Sequence, residues 1–341
     1  MTNKKSSAVI DVDLDARGKQ IGTIKLTHSD DRHGYSVIPV PIAVVAGSEG
    51  PSVMLSAGNH GDEYEGQIAL QEFVRRIDPA AVRGRLFILP AFNYAAVMAA
   101  SRVSPLDGGN LNRVFPGDPD AGPTSALAHF IATQILPRSR FAIDFHSAGK
   151  SATYLPCTYL HWGGDAAARR ARLDGAYVFG APNVVIAGGV ANAGSMTAEC
   201  GRQGITMVST ELGGAGTVTR ATLEMARIGL RRCLAHWGVL AATDAPATGK
   251  PRLLQLQGKQ GSVMVETDGL FEPLREPGES VAAGDLAGYV YPVGELTRER
   301  AAALFTASGV IVTRRIPVLV RRGDLLYGLA SETSEAELGL G

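Results

Sequence analysis

The sequence predicts an α/β fold in which a largely buried sheet is flanked by helices and followed by a small C-terminal β domain. From residue 52 to about residue 238, short apolar runs alternate with amphipathic stretches of helical periodicity, a pattern typical of layered α/β proteins. Residues 241–250 are rich in Ala, Thr and Pro and predict a linker, after which short strands and turns replace the helices. We therefore expect a main domain over residues 1–245 and a small β domain over residues 251–335.

The periodicity of the side chains predicts the individual elements. Alternating apolar and polar residues between positions 8 and 47 indicate β-strands ahead of the α/β region. Short apolar runs predict buried strands at residues 52–57, 85–90, 141–145 and 205–210. Helical periodicity predicts helices at residues 66–77, 124–136 and 219–240.

The composition excludes several classes of protein. Hydrophobic residues make up 45% and charged residues 19% of the 341 residues, which is enough apolar surface for a substantial core. The 33 Lys and Arg balance the 33 Asp and Glu, so neither nucleic acid nor an anionic membrane is an expected partner. The polar residues 1–11 and the lack of a long apolar run predict neither a secretory signal nor a membrane span. Because Cys157, Cys200 and Cys233 form no disulfide or metal-binding pattern, we expect a cytoplasmic protein.

The strongest candidate for chemistry is the sequence Gly-Asn-His-Gly-Asp-Glu at residues 58–63, between a predicted strand and a predicted helix. Active sites of open α/β sheets form where strands end, and a tight turn through glycine would let His60 and Glu63 reach one point. A His-x-x-Glu pattern alone is weak evidence, because solvated loops contain it by chance. A second histidine, His146, follows the predicted strand 141–145. Three such ligands would leave a fourth position for water, as in catalytic zinc sites.

Four more polar residues are candidates for substrate contacts or proton transfer. Glu211 follows the last predicted buried strand and precedes a glycine pair, which would place it to act as a general base. Arg113 offers a planar fork for a substrate carboxylate, Asn112 an amide donor, and Arg102 a cation for a scissile carbonyl group. Each of the four has an alternative interpretation as an ordinary loop residue. The glycine-rich segment 187–195 fits a mobile loop near the cleft and a plain surface loop equally well.

Together these motifs resemble the succinylglutamate desuccinylase/aspartoacylase family, a branch of the carboxypeptidase-like zinc hydrolases. The resemblance rests on residues 58–63, on Asn-Arg-Val-Phe-Pro-Gly at residues 112–117, on Asp-Phe-His at residues 144–146 and on the glutamate at 211. It implies one Zn²⁺ per chain and a role for each of seven residues. These are His60, Glu63 and His146 on the metal, Glu211 as the base, Asn112 and Arg113 on the substrate carboxylate, and Arg102 on the carbonyl oxygen.

The resemblance also implies the fold and the reaction. The fold is expected to be a zinc-carboxypeptidase-like mixed sheet flanked by helices, with a C-terminal β domain beside the site. A tyrosine of that domain often closes the pocket in this family, and Tyr289 and Tyr291 are the candidates. The expected reaction is hydrolysis of the amide bond of a small N-acyl amino acid. Residues 59–66 are most similar to the branch that deacetylates N-α-acetyl-L-2,4-diaminobutyrate in ectoine breakdown, which makes that compound the expected substrate.

Several alternatives stay open on the sequence alone. A desuccinylase or an aspartoacylase-type enzyme would act on an acidic N-acyl amino acid and should need extra cations in its pocket, whereas a metallocarboxypeptidase would cleave a peptide. Nickel, iron or cobalt could replace zinc, because imidazole and carboxylate ligands suit several divalent ions. A non-catalytic ligand-binding protein on the same fold is disfavoured, because it has no need of the full ligand set and Glu211. The sequence leaves open whether chains associate into a homo-oligomer.

Overall fold

The computed structural model describes residues 8–31, 33–189, 192–242, 249–294 and 296–340. In these ranges the α-helices are α1 (Glu65–Arg76), α2 (Tyr94–Met98), α3 (Pro123–Phe130), α4 (Ala166–Phe179), α5 (Met196–Arg202) and α6 (Arg220–His236). The strands are β1 (Val9–Ile10), β2 (Gly18–Asp30), β3 (His33–Ala46), β4 (Ser48–Ala57), β5 (Arg83–Leu89), β6 (Phe141–Phe145), β7 (Ala152–Tyr154), β8 (Cys157–His161), β9 (Asn183–Ala187), β10 (Thr206–Glu211), β11 (Arg252–Leu256), β12 (Ser262–Met264), β13 (Gly269–Pro273), β14 (Ser280–Val281), β15 (Leu286–Tyr291), β16 (Ala301–Leu304), β17 (Gly309–Arg315), β18 (Leu319–Val320) and β19 (Leu325–Glu332). None of the helices in this part of the chain combines the length and the hydropathy that crossing a bilayer requires.

The elements predicted from periodicity are present. The four predicted buried strands correspond to β4, β5, β6 and β10, and the three predicted helices correspond to α1, α3 and α6. Two helices end differently from the prediction: α6 stops at His236, just before Gly238 takes a φ of 71°, and α3 continues as a π-helical turn over Ile131–Ile135. Five elements between residues 152 and 202 were not predicted, namely β7, β8, α4, β9 and α5.

One mixed sheet brings the functional strand ends together. Its central order is β3-β5-β4-β6-β10-β8-β9-β11. Strand β4 pairs in parallel with β5 and β6, and β6 pairs in parallel with β10, whereas β10 pairs antiparallel with β8. Because β4, β6 and β10 run in the same direction, their carboxyl ends open on the same edge of the sheet.

Helices cover both faces of the sheet, which explains why its central strands are continuous apolar runs. The core on one face contains side chains of α1, α4 and α6, and the core on the other face contains side chains of α3 and α5. Adjacent residues of one strand alternate between the two cores, as Met54 and Leu55 of β4 do. The sheet is therefore the middle layer of a three-layer α/β structure.

A glycine sets the distance between α1 and the sheet. A Cβ atom at Gly66 would collide with the Cβ atom of Phe145 in β6 and would lie 2.9 Å from the Cβ atom of Ala57 in β4. Only a residue without a side chain allows this approach. The first turn of α1, which directly follows residues 58–63, is consequently held against the ends of β4 and β6.

The chain beyond residue 251 extends the large sheet and also forms a second one. Strand β11 pairs in parallel with β9 and antiparallel with β19, and the large sheet continues through β17 and β14. The second sheet is antiparallel, in the order β16-β15-β13-β18, and a separate core that includes Phe271, Phe305 and Tyr327 lies beneath it. This small sheet confirms the C-terminal β part of the predicted fold. The division into residues 1–245 and 251–335 stays a prediction. Hydrogen bonds between β9 and β11 join the two parts in one sheet, and residues 243–248 lie outside the described residues.

Candidate active site

The candidate site lies where the carboxyl ends of β4, β6 and β10 meet. His60 and Glu63 lie in the loop that follows β4, His146 is the first residue after β6, and Glu211 is the last residue of β10. The structure therefore brings together the three predicted metal ligands and the predicted base, although they are up to 151 residues apart in the chain (211 minus 60). The parallel pairing of β4 with β6 and of β6 with β10 is what joins them.

The three predicted ligands form one buried cluster. The Nδ1 atom of His60 lies 2.7 Å from Oε1 of Glu63, and the Nδ1 atom of His146 lies 2.8 Å from Oε2 of the same carboxylate. One ligand atom from each residue lies within 4.8 Å of the other two, and all three residues are buried. This is the only cluster of three or more metal-binding side chains in the described part of the chain.

An outward hydrogen bond fixes the orientation of His146. Its Nε2 atom donates to Oδ2 of Asp144 at 2.8 Å, and a carboxylate can only accept. Asp144 is itself held by Ser56, whose Oγ donates at 2.7 Å, and by Asn59, whose Nδ2 donates at 3.1 Å. With its hydrogen on Nε2, the neutral imidazole presents the lone pair of Nδ1 to the cluster.

A similar contact orients His60. Its Nε2 atom lies 3.3 Å from Oδ1 of Asn110. That oxygen also accepts a hydrogen bond from the backbone N–H of Asn112 at 3.1 Å, which identifies it as the amide oxygen and not the amide nitrogen. His60 therefore also donates through Nε2 and presents the lone pair of Nδ1 to Glu63.

The Nδ1 atoms of two imidazoles thus face the two oxygens of one carboxylate, and each of these short contacts needs a proton or a metal ion between the two atoms. Burial disfavours the ionised form of Glu63, but His60 and His146 outweigh this effect and hold its pKa at about 2. Burial likewise opposes protonation of His146, but Asp144 and Glu63 raise its pKa well above the usual value. The arrangement attracts either protons or a divalent cation, and two imidazoles with one carboxylate are a known ligand set of catalytic zinc.

Glu211 is placed as a proton acceptor beside this cluster. Its Oε2 atom is buried and has no hydrogen-bond partner among the described residues. Burial, and then the negative charge of Glu63, raises the pKa of Glu211 to about 8. A buried carboxylate without a fixed partner is unusual in a structural role and frequent in a functional site.

A cavity of about 360 Å³ adjoins the cluster and contains the other predicted site residues. Arg102 is half-exposed there, with its Nη1 atom 3.7 Å from Oε1 of Glu63. The Oδ1 atom of Asn112 accepts from the backbone N–H of Met196 at 2.9 Å, which leaves the amide NH₂ group as a donor. Burial and the nearby Arg102 lower the pKa of Arg113. Two guanidinium groups that repel each other in one cavity favour an anionic ligand between them.

The cavity also contains residues that the sequence did not single out. Tyr154, Tyr159 and His161 line it, because β7 and β8 lie at its edge. The glycine-rich segment 187–195 lies beside the cavity and contributes Asn192 and Ser195, while its residues 190 and 191 are outside the described residues.

The predicted C-terminal tyrosines are not among the residues that line the cavity. Tyr289 and Tyr291 lie on β15 of the small sheet, where the guanidinium carbon of Arg300 lies 3.6 Å and 5.6 Å from their ring centroids. Among the described residues beyond 251, the ones that line the cavity are Thr313 and Leu325. Strands β17 and β19, and not β15, continue the large sheet. A closing role for Tyr289 or Tyr291 stays a prediction from the resemblance.

The fold defines a class of protein, the carboxypeptidase-like α/β proteins, and the His-Glu-His cluster at the carboxyl edge of the mixed sheet could hold a metal ion. Within this class, residues 49–237 match the model of the succinylglutamate desuccinylase/aspartoacylase catalytic domain. The chain belongs to the succinylglutamate desuccinylase/aspartoacylase family. It is therefore a hydrolase that acts on amide bonds, in a family of deacylases.

Individual relatives agree with this family over nearly the whole chain. The N-alpha-acetyl-L-2,4-diaminobutyric acid deacetylase of Halomonas elongata is 36% identical over 323 residues, which cover 94% of this chain and 93% of that protein. The product-bound ectoine utilization protein EutE (DoeB) from Ruegeria pomeroyi has a TM-score of 0.92 at 34% identity, over 96% of this chain and 100% of that one. A succinylglutamate desuccinylase/aspartoacylase structure from Rhodobacter sphaeroides has a TM-score of 0.90 at 35% identity, again over 96% and 100%.

The hydrogen bond between His146 and Asp144 yields the first testable prediction. We expect Asp144→Asn to weaken metal binding by about 10- to 100-fold, because an amide holds the Nε2–H group less strongly and lowers the basicity of Nδ1. The measurement is competition for the metal with a chelator of known affinity. As a control, Asp174→Asn removes a carboxylate that pairs with Arg170 on the surface of α4 and should leave the affinity unchanged. Equal affinities of Asp144→Asn and the unmodified chain would contradict the assigned orientation of His146.

Proposed function

We propose that this chain is a zinc-dependent deacetylase that hydrolyses N-α-acetyl-L-2,4-diaminobutyrate to acetate and L-2,4-diaminobutyrate. The observation that carries the proposal is the buried cluster of His60, Glu63 and His146 beside the unpartnered Glu211. The identity of 36% to the Halomonas elongata deacetylase, over 94% of this chain, supports the choice of substrate. Consistent with the sequence prediction, we propose that the enzyme acts in the cytoplasm.

The metal is assigned by the chemistry of its ligands. Two imidazole lone pairs and one carboxylate suit zinc and leave room for water and substrate. When bound, the ion would act as a Lewis acid and lower the pKa of a water molecule toward about 7. We propose one Zn²⁺ per chain at His60, Glu63 and His146. Asp144 orients His146 and Asn110 orients His60, and neither contact depends on substrate.

The residues of the chain then have separate tasks. Glu211 takes a proton from the attacking water and returns it to the leaving nitrogen, as its unpartnered Oε2 atom permits. Arg102 donates hydrogen bonds to the carbonyl oxygen, where negative charge develops in the transition state. Its position near Glu63 and its partial exposure to the cavity support this assignment.

The substrate carboxylate is assigned to Arg113 and Asn112. Both line the cavity, and Asn112 has a free amide donor because its Oδ1 atom is already bonded to the backbone of Met196. A carboxylate between Arg102 and Arg113 would also relieve the repulsion between the two guanidinium groups. The α-carboxylate of an N-acyl amino acid would thereby fix its amide bond beside Glu211.

The charge of the cavity favours diaminobutyrate over an acidic amino acid. Arg102 and Arg113 are the only arginine or lysine residues among the described residues that line it, and both already have a task. An N-acetylaspartate or N-succinylglutamate enzyme would need further cations for the one or two additional carboxylates of its substrate. The other lining residues are mostly neutral Tyr, Ser, Thr and Asn side chains, which tolerate an amino group.

A substrate panel tests this function. The purified chain, zinc-loaded and after chelation, is given N-α-acetyl-L-2,4-diaminobutyrate, N-acetylaspartate, N-succinylglutamate and a short peptide, and release of a primary amine is measured. We expect chelator-sensitive release from the first compound and little from the others. Preferred release from an acidic compound would overturn the substrate, and preferred release from the peptide would identify a peptidase.

The role of Glu211 yields a separate prediction. We expect Glu211→Gln to lower kcat by about 10²- to 10⁴-fold, because an amide of the same shape cannot accept the proton. The zinc content should not change, because Glu211 is not a ligand. Glu224→Gln, at an exposed position on α6, is the control and should keep full activity. Near-normal turnover of Glu211→Gln would remove Glu211 from the role of general base.

A further inference from the structure

Three aromatic rings form a row along one wall of the cavity. Tyr159 and His161 are two residues apart on β8 and so point to the same side of the sheet, and Tyr154 of β7 lies next to Tyr159. The ring centroids of Tyr154 and Tyr159 are 6.5 Å apart, and those of Tyr159 and His161 are 5.5 Å apart. All three residues line the cavity. The hydroxyl groups of Tyr154 and Tyr159 form no hydrogen bond with another described residue.

The row starts beside the proposed base. Cys157 of β8 is directly opposite Glu211 of β10, and Tyr159 follows on the same face about 7 Å further along the strand. After burial, the charge of Glu211 is the largest influence that raises the pKa of Tyr159, which agrees with their proximity. A side chain that extends by two methylene groups from a substrate held at Glu211 would reach the ring of Tyr159.

The charges of the cavity leave this wall as the place for a cation. Arg102 and Arg113 repel an ammonium group, and Glu211 is the only carboxylate among the described lining residues. Burial, together with Arg172 and Arg113, lowers the pKa of His161, which disfavours a positive charge on this ring. The electron-rich faces of aromatic rings attract ammonium groups, and this attraction is strongest at sites shielded from water.

We propose that Tyr159, flanked by Tyr154 and His161, forms the subsite for the γ-ammonium group of the substrate. The inference rests on the proposed function and extends it, because it assigns specificity for a short cationic side chain to the aromatic row of β7 and β8. It also explains how a cavity with two arginines can accept a substrate that carries a positive charge.

The test compares two substrates that differ only in charge. N-α-acetyl-L-2,4-diaminobutyrate is paired with N-acetyl-L-norvaline, in which a methyl group replaces the ammonium group at nearly the same volume. The ratio of their kcat/KM values is measured for the unmodified chain and for Tyr159→Leu and Tyr159→Phe. N-acetyl-L-norvaline is the internal control, because loss of folding or of zinc lowers kcat/KM for both substrates.

We expect Tyr159→Leu to lower the ratio about tenfold, chiefly through the KM of the charged substrate, and Tyr159→Phe to keep it within about threefold. An unchanged ratio in Tyr159→Leu, or an equal loss for both substrates, would overturn the subsite. A loss in Tyr159→Phe as large as in Tyr159→Leu would overturn the role of the ring in favour of the phenol oxygen. If the unmodified chain does not hydrolyse the charged substrate at all, the proposed function fails, and the subsite fails with it.

Discussion

The active site depends on one electrostatic constraint, the carboxylate of Glu63 between the Nδ1 atoms of His60 and His146. Because both imidazoles donate outward through Nε2, to Asn110 and to Asp144, their Nδ1 atoms face the carboxylate oxygens, and a proton or a metal ion must lie between them. This arrangement is favourable only with positive charge at its centre. The parallel pairing of β4 with β6, and the close approach of α1 at Gly66, hold the three residues in place.

The cavity beside this cluster combines charged and aromatic side chains. Arg102 and Arg113 both line it, and their guanidinium groups suit anionic parts of a ligand. The end of β10 contributes Glu211, the proposed base, and β7 and β8 contribute aromatic rings.

The sequence indicated the cluster of His60, Glu63 and His146 because its residues lie in the segments that follow β4 and β6, two strands whose apolar runs are easy to recognise. It did not predict the aromatic row, because β7 and β8 are short strands, of three and five residues, that contain polar side chains. Tyr159 comes near Glu211 only through antiparallel pairing of β8 with β10, more than 50 residues away (211 minus 159), and no local pattern indicates such a pairing. The orienting role of Asp144 was equally hidden, because it depends on contacts with Ser56 and Asn59, which are more than 80 residues away in the chain.

The most direct test of the account is to determine the metal content of the purified chain together with anomalous X-ray diffraction at the zinc edge. The account predicts one zinc ion per chain, bonded at about 2.0–2.2 Å to Nδ1 of His60, Nδ1 of His146 and the carboxylate of Glu63. A chain that binds no metal, or an anomalous peak away from these three residues, would contradict the central claim.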